Sequence, residues 1–566
     1  MTDGTGGQTY GYDDNDVLTT KNVIWTGFAA KTISYGFYAN GSRKSMTADG
    51  RSFSYGYDGV GRMNSLLNDN SETTRYAYQD NGWLQSKTLS NGVVTTFTRD
   101  PQGRLRDLAN KTGAGALLSD FSVSATGGYD GIGNRLSVAA IVSGAPSFYN
   151  TTRAYTYDYG QSANPQASRS QLTYETSTYS GDSTYAAYGY DGTTAAPNGT
   201  SGGPGNRTGY AGFGHFTYNA DNQTTNTGYA YDGNGNPTAY NTKALNFDPE
   251  NRLTAYSTAQ TDGYDGNGLR TWKQTTSVRA YFLYDGTQPV VEEDTAGRIK
   301  AINTFGAGGL VSRRIPSAPQ LSSFYTFDER DNVSQRIINT GTNTIAVYSS
   351  DTYNANGLRT TTATSSVPDP FGFTAQAGYY TDAETGLILC THRYYDPANG
   401  RWLTRDPIGY RGGVNLYGYC KNNPVNRNDR KGYQGGWTGP GNHDGTSADP
   451  TKGGGDGHMP GQSDPTGSNG GGFGGDPGNP GNLSGPNPVG TPPGMMPGRI
   501  NGGSLPGDQT QQEDGYNQMA DGVVNAFNGI GPAISDAIVC IRAWPSRNFG
   551  PGSDFNQDWE NTFDPH

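Results

Sequence analysis

Tyr55-Gly56-Tyr57-Asp58-Gly59-Val60-Gly61-Arg62-Met63 is the stretch whose reading decides the fold. Its pattern returns as Tyr76-Ala77-Tyr78-Gln79-Asp80-Asn81-Gly82-Trp83-Leu84 and as Phe97-Thr98-Arg99-Asp100-Pro101-Gln102-Gly103-Arg104-Leu105. Gly61, Gly82 and Gly103 fall 21 residues apart. Tyr-x-Tyr alternation places two rings on one face of a strand. Asp-x-x-Gly then turns the chain: the carboxylate accepts from nearby backbone N–H groups and glycine takes the left-handed conformation. About 20 residues hold two strands of about six residues and two turns. Such a hairpin is not stable alone, so neighbours must stack into a continuous sheet.

Later copies include Tyr129-Asp130-Gly131-Ile132-Gly133-Asn134-Arg135-Leu136, Phe247-Asp248-Pro249-Glu250-Asn251-Arg252-Leu253 and Tyr264-Asp265-Gly266-Asn267-Gly268-Leu269-Arg270. The spacing shortens near position 250 and stretches with insertions near 160–205. Composition agrees with many short strands and many turns. The hydrophobic fraction of the 566 residues is 32%, and the chain carries 85 glycines. Those values alone point to disorder, but the aromatic fraction of 12% opposes it. Tyrosine suits strands, with its ring on the pleated surface and its hydroxyl in water.

A net charge of −11 disfavours nucleic acid or an anionic membrane as partner. Cys390, Cys420 and Cys540 are too few and too scattered for a disulfide framework or a zinc site, and the five histidines form no ligand cluster. No cofactor or metal is expected. The N-terminus shows no signal peptide, and no run of 18 apolar residues exists to span a membrane as a helix.

The pattern Tyr-x-Tyr-Asp-x-x-Gly-Asn/Arg-Leu resembles the YD repeat of the RHS family over roughly residues 10–433. A second resemblance is denser. It runs through Pro370-Phe371-Gly372-Phe373, Tyr380-Thr381-Asp382-Ala383-Glu384-Thr385-Gly386-Leu387 and Arg393-Tyr394-Tyr395-Asp396-Pro397-Ala398-Asn399-Gly400-Arg401-Trp402-Leu403. Asp406-Pro407-Ile408-Gly409 and Asn423-Pro424-Val425-Asn426 complete it. This order is similar to the RHS repeat-associated core domain. The resemblance implies an all-β chain whose tandem hairpins coil into a sheet or partial hollow shell. Residues 1–365 would form the repeat array and 366–433 a plug that acts as an aspartyl autoprotease on its own chain.

By the same resemblance, Asp406 and Asp429 match the catalytic aspartates and Arg393 a nearby arginine. Cleavage would follow Gly432-Tyr433, between Tyr433 and Gln434. Two carboxylates held close cannot both ionise; one activates water while the other donates to the scissile carbonyl. The chain departs from the family at the cut, where Asp-Pro-x-Gly-Leu is here Asp429-Arg430-Lys431-Gly432-Tyr433. Read from spacing alone, Asp406, Asp429, Asp382 and Asp396 are turn residues.

After Tyr433 the composition shifts. Residues 434–515 read as a Gly/Pro-rich disordered linker. His443, Asp456 and His458 there are too loosely placed for a metal site. Residues 516–566 form a short terminal segment in which Met519–Phe527 and Ala533–Ile541 carry helical patterning, broken by Gly529-Ile530-Gly531-Pro532. The resemblance implies a shell that encloses and cuts off its own C-terminal segment as cargo. The setting would be a bacterial polymorphic-toxin or cell-surface system, secreted or held at the envelope, with a delivery apparatus as partner. A non-catalytic surface protein that binds glycans through tyrosine faces is the alternative.

Overall fold

Asp58 shows how one repeat is made. Its backbone N–H donates to the Arg62 carbonyl and its carbonyl accepts from Gly61, which stands at φ +86°. One carboxylate oxygen accepts from the backbone of Val60 (3.1 Å) and Arg62 (2.9 Å). The other meets Arg62 Nε at 2.6 Å. Arg62 then reaches forward to the Gln79 carbonyl, with its guanidinium 4.8 Å from the centre of the Tyr78 ring. The same unit recurs at Asp100–Arg104 and Asp248–Arg252, and at Asp328–Asn332 with asparagine replacing arginine. The turn is therefore a side-chain motif as much as a backbone one.

The chain, described here from a computed structural model, covers residues 2–157, 170–179, 182–190, 205–210, 216–316, 322–341, 344–363, 369–433 and 436–437. Apart from Gly436–Trp437, the expected linker lies outside these residues, as do the terminal segment, Gln434, His443, Asp456, His458, Cys540 and the two helical patterns. The fold is all-β, with only short 3-10 turns and no α-helix among the described residues. Accordingly no helix there is long and apolar enough to cross a membrane.

Seventeen strands from Thr2–Asp3 to Arg207–Tyr210 form one sheet, and fourteen from Ala230–Tyr231 to Arg359–Thr361 form a second. Within each, a strand pairs antiparallel with the next in the chain, as Arg43–Ala48 does with Arg51–Tyr57 and that strand with Met63–Leu67. Asp49 and Gly50 close the first of these hairpins with φ +44° and +76°, the two-residue turn that suits strand twist.

A bulge recurs at the second aromatic of the repeat, between Gly56 and Tyr57, Ala77 and Tyr78, and Gly263 and Tyr264. It corrects the simple picture of two equivalent rings. Tyr55 is buried, whereas Tyr57 is half-buried. The hydroxyls of Tyr78 and Tyr264 are taken up by the protein; they donate to the Met63 and Leu253 carbonyls at 2.8 and 2.7 Å. The glycine between the rings leaves room for its cross-strand neighbour, since a Cβ at Gly56 would stand 2.3 Å from Ser65 Oγ and turn the hydroxyl aside; Ala77, opposite Ser86, fills the same place in the next repeat.

The two sheets share one apolar core. Ile33, Phe53 and Leu66 of the first join Leu283, Val291, Ile302 and Phe324 of the second, and each such burial is worth roughly 1.5–3 kcal/mol. Polar groups cross the same interface in pairs. Arg43 meets Asp285 at 2.5 Å, Lys31 meets Glu293 at 2.7 Å, and Gln8 donates to Asp265 at 2.6 Å.

Residues 369–433 pack against this core. Their centre is a four-stranded antiparallel sheet of Tyr380–Thr381, Ile388–Cys390, Arg393–Asp396 and Arg401–Trp402. Phe371, Tyr380, Leu389 and Tyr394 extend the shared apolar cluster into it. Asp396 is a turn residue as expected, accepting from Ala398 N–H, and it also accepts from Tyr240 Oη at 2.8 Å. Asp382 closes a turn through its backbone. Its carboxylate, however, is fully buried against Arg270 (2.5 Å) and Lys273 (3.1 Å) of the second sheet, so reading it as only a turn residue falls short.

Candidate active site

The site is built by one hairpin and two turns. Cys390 and Arg393 pair across the tight link Thr391-His392, in which Thr391 takes φ +57°. This places Arg393 beside the tip of the hairpin with its guanidinium 4.0 Å above the Trp402 ring. Arg393 Nη2 donates to Asp406 Oδ2 at 3.0 Å and to Asp429 Oδ2 at 3.2 Å. One nitrogen thus holds both carboxylates. Arg393 Nε donates to the Gly432 carbonyl.

Both aspartates are turn residues as well, and their two oxygens divide the work. Asp406 Oδ1 accepts from Ile408 N–H at 3.1 Å, while Asp429 Oδ1 accepts from Gly432 at 2.9 Å and Tyr433 at 3.2 Å. The remaining oxygen of each faces Arg393. Turn geometry and a shared cation are therefore one arrangement. Burial pushes the Asp406 carboxyl above its ordinary range; Arg393 pulls it back and the Asp429 charge adds to the rise.

Asp429 is fixed from its other side by Tyr379, whose hydroxyl accepts from Asp429 N–H (2.9 Å) and donates to its carbonyl (2.8 Å). Tyr419 Oη lies 3.2 Å from Tyr379 Oη. Beyond the turn, Arg427–Asn428 pairs antiparallel with Gly436–Trp437. The strands on either side of residues 429–435 are thus bonded to each other. No group of side chains suited to a metal ion occurs among the described residues.

With this geometry in hand, the likenesses to known proteins fall into place. The RHS Repeat family matches residues 78–115. The chain is 27% identical over 388 residues to the tRNA nuclease WapA of Bacillus subtilis, covering 65% of this chain and 15% of that protein. It is 47% identical over 74 residues to the probable deoxyribonuclease RhsB of Dickeya dadantii, 13% of this chain and 5% of that one. The crystal structure of TcdB2-TccC3-TEV superposes with a TM-score of 0.59 at 19% identity, over 76% of this chain and 24% of that one. The chain carries RHS repeats and is related to these proteins. It spans about a seventh or less of the length of these curated relatives.

The departures from the RHS pattern at 430 and 433 each have a structural counterpart. Without proline at 430 the turn still closes: Gly432 N–H returns to the Asp429 carbonyl, and Thr391 Oγ1 donates to the Arg430 carbonyl at 2.9 Å. Gly432 stands at φ +72°, and a Cβ there would lie 2.6 Å from the Cys390 carbonyl oxygen. Tyr433, in place of leucine, stacks on His392 with ring centres 4.5 Å apart. Arg393, Asp406, Asp429, Gly432 and Tyr433 are all brought together; Gln434 lies outside the described residues. Tyr379, Tyr419, Thr391 and His392 were missed by the sequence reading. Tyr379 adjoins a quoted motif, but nothing in the order of residues marks it as the partner of a main chain 50 positions on.

Proposed function

We propose that this RHS-repeat chain encloses its own C-terminal segment and severs it after Tyr433, as part of a bacterial polymorphic-toxin or cell-surface system. What carries the reading is the single Arg393 nitrogen shared by Asp406 and Asp429, beside a Gly432 carbonyl held by the same guanidinium. The likeness in fold to TccC3 and the relatedness to WapA and RhsB support the enclosing role.

In chemical terms, a carboxylate takes a proton from water as the oxygen adds to the Tyr433 carbonyl carbon. The other carboxyl, Asp406 with its raised affinity for a proton, donates to the carbonyl oxygen. The C–N bond to Gln434 then breaks and the proton passes to the leaving amine. Arg393 holds the pair in register and offsets the charge they share. Residues 1–365 serve as the array, 366–433 as the plug that carries the cut, 434–515 as linker and 516–566 as the terminal piece.

The test is expression of the full chain, followed by a denaturing gel and intact mass. A new N-terminus at Gln434, lost in Asp406→Asn and in Asp429→Asn, supports the proposal. A single uncut species in the parent chain sinks the cleavage reading.

A further inference from the structure

The hairpin tip Thr391-His392-Arg393 touches the 430–433 loop at three successive points. Thr391 Oγ1 donates to the Arg430 carbonyl, Arg393 Nε to the Gly432 carbonyl, and the His392 ring lies on the Tyr433 ring. The first two contacts are to main chain and are indifferent to the side chains they meet. The third is to the side chain of the residue that precedes the bond to be cut. We propose that His392 is a positioning and specificity-determining residue for self-cleavage, reading a flat side chain at 433 and so placing the Tyr433 carbonyl before the aspartates. This rests on the cleavage reading above.

Three observations support it. The two rings are close to parallel, 25° apart with centres at 4.5 Å, a stacking geometry rather than a chance edge contact. The imidazole is backed on another side by Gly268 of the repeat turn Asp265–Gly268, where a Cβ would stand 3.6 Å from Nδ1. It is thus confined between a turn of the second sheet and the loop it reads. Nδ1 is buried without a hydrogen-bond partner, so stacking and packing hold the ring where polar contacts do not.

The ring also stays uncharged. Burial, reinforced by Arg393, Lys431 and Arg252, pushes its pKa down to about 4. A neutral imidazole can lie against an aromatic face without carrying a buried charge. Tyr433 N–H donates to Asp429 Oδ1, so a shift of the Tyr433 ring is transmitted directly to a carboxylate of the site. His392 acts through Tyr433 and touches neither the reacting carbonyl nor the water.

The experiment is cell-free synthesis of the full chain, sampled over time on a denaturing gel, with first-order cleavage rates for five chains. These are the parent, His392→Ala, His392→Phe, Tyr433→Ala and the His392→Ala/Tyr433→Ala double variant. We expect His392→Ala and Tyr433→Ala each to slow cleavage about tenfold, the worth of one aromatic stack. His392→Phe, which keeps a flat ring, should stay within about twofold of the parent. The double variant should be no slower than the worse single variant, because both remove one contact.

A His392→Ala rate equal to the parent overturns the inference. So does a double variant whose loss is the product of the single losses, or a His392→Phe chain as slow as His392→Ala. Should the parent itself remain uncut, the cleavage reading fails. A parent that cuts in an Asp406-dependent manner while His392→Ala keeps pace overturns only the role of His392.

Discussion

Arg270 and Asp382 form an ion pair of 2.5 Å in which neither side chain reaches solvent. It joins the second sheet to the plug, 112 residues away in sequence. Against the cost of burial, Arg270 and Lys273 hold the Asp382 carboxyl below the ordinary range. Asp262 sits beside it and shares the same donors, Gln260 and Tyr394. Burial pushes Asp262 up to about 7; Arg270 pulls it back and the Asp382 charge adds to the rise. A carboxyl whose folded pKa exceeds its unfolded value stabilises the fold below the unfolded value and loses that stabilisation as pH rises through the folded one. The Asp262 contribution therefore fades between about pH 4 and about pH 7. Asp262→Asn, a neutral mimic of the protonated acid, should flatten the fall in Tm over that window. Glu293, raised to about 7 mainly by burial, acts in the same sense, so adding Glu293→Gln should flatten it further. A Tm profile unchanged by both substitutions refutes the assignment.

Removing the shared cation leaves two carboxylates facing each other in a buried site. Arg393→Met should destabilise the chain by about 3–5 kcal/mol in urea unfolding, because the charge the two acids share loses its partner without regaining water. Arg393→Lys should recover part of that loss but not the cut. A single ammonium cannot bond both aspartates and the Gly432 carbonyl in the geometry of the guanidinium fork.

Two glycines with the same backbone angle offer a controlled comparison. Gly386 and Gly432 both stand at φ +72°, but a Cβ at Gly386 meets nothing within 4 Å. Gly386→Ala should cost only the conformational penalty, about 1 kcal/mol. Gly432→Ala adds a clash with the Cys390 carbonyl, so the 429–433 turn must open. It should cost roughly 2 kcal/mol or more and abolish cleavage. Equal stability of the two variants would show that the turn has room to spare.

In the repeat array, Asp58→Ala removes the side-chain acceptor of two backbone N–H groups and the partner of Arg62. A loss of about 1–2 kcal/mol is expected by chemical denaturation. Asp58→Asn keeps an acceptor for the turn and should lose less. Equal losses would mean that the ion pair and not the turn bonds matters.

The array was legible because its signal is local. Asp58, Val60, Gly61 and Arg62 satisfy one another within a single turn, so a short window contains the whole cause. The bulge before Tyr57 was not legible, since Tyr-x-Tyr reads the same with or without an unpaired residue. Arg393, Asp406 and Asp429 were legible only through an ordered motif. Nothing in the chain between them signals that one nitrogen would serve both acids. The buried role of Asp382 and the stack of His392 on Tyr433 depend on partners from other elements. Alternation and turn chemistry say nothing about those.

Pairing each strand with its chain neighbour sets an order of assembly. Hairpins can close as the polypeptide emerges, without waiting for any segment still to be synthesised. The contacts across the sheets are delayed: Gln8 waits for Asp265, 257 residues later. Later still, Arg135 N–H donates to Asn426 Oδ1, 291 residues on and three short of Asp429. On the proposed reading, this timing is a safeguard. The blade is finished only after the array has been laid down, so on that reading no cut can precede the enclosure.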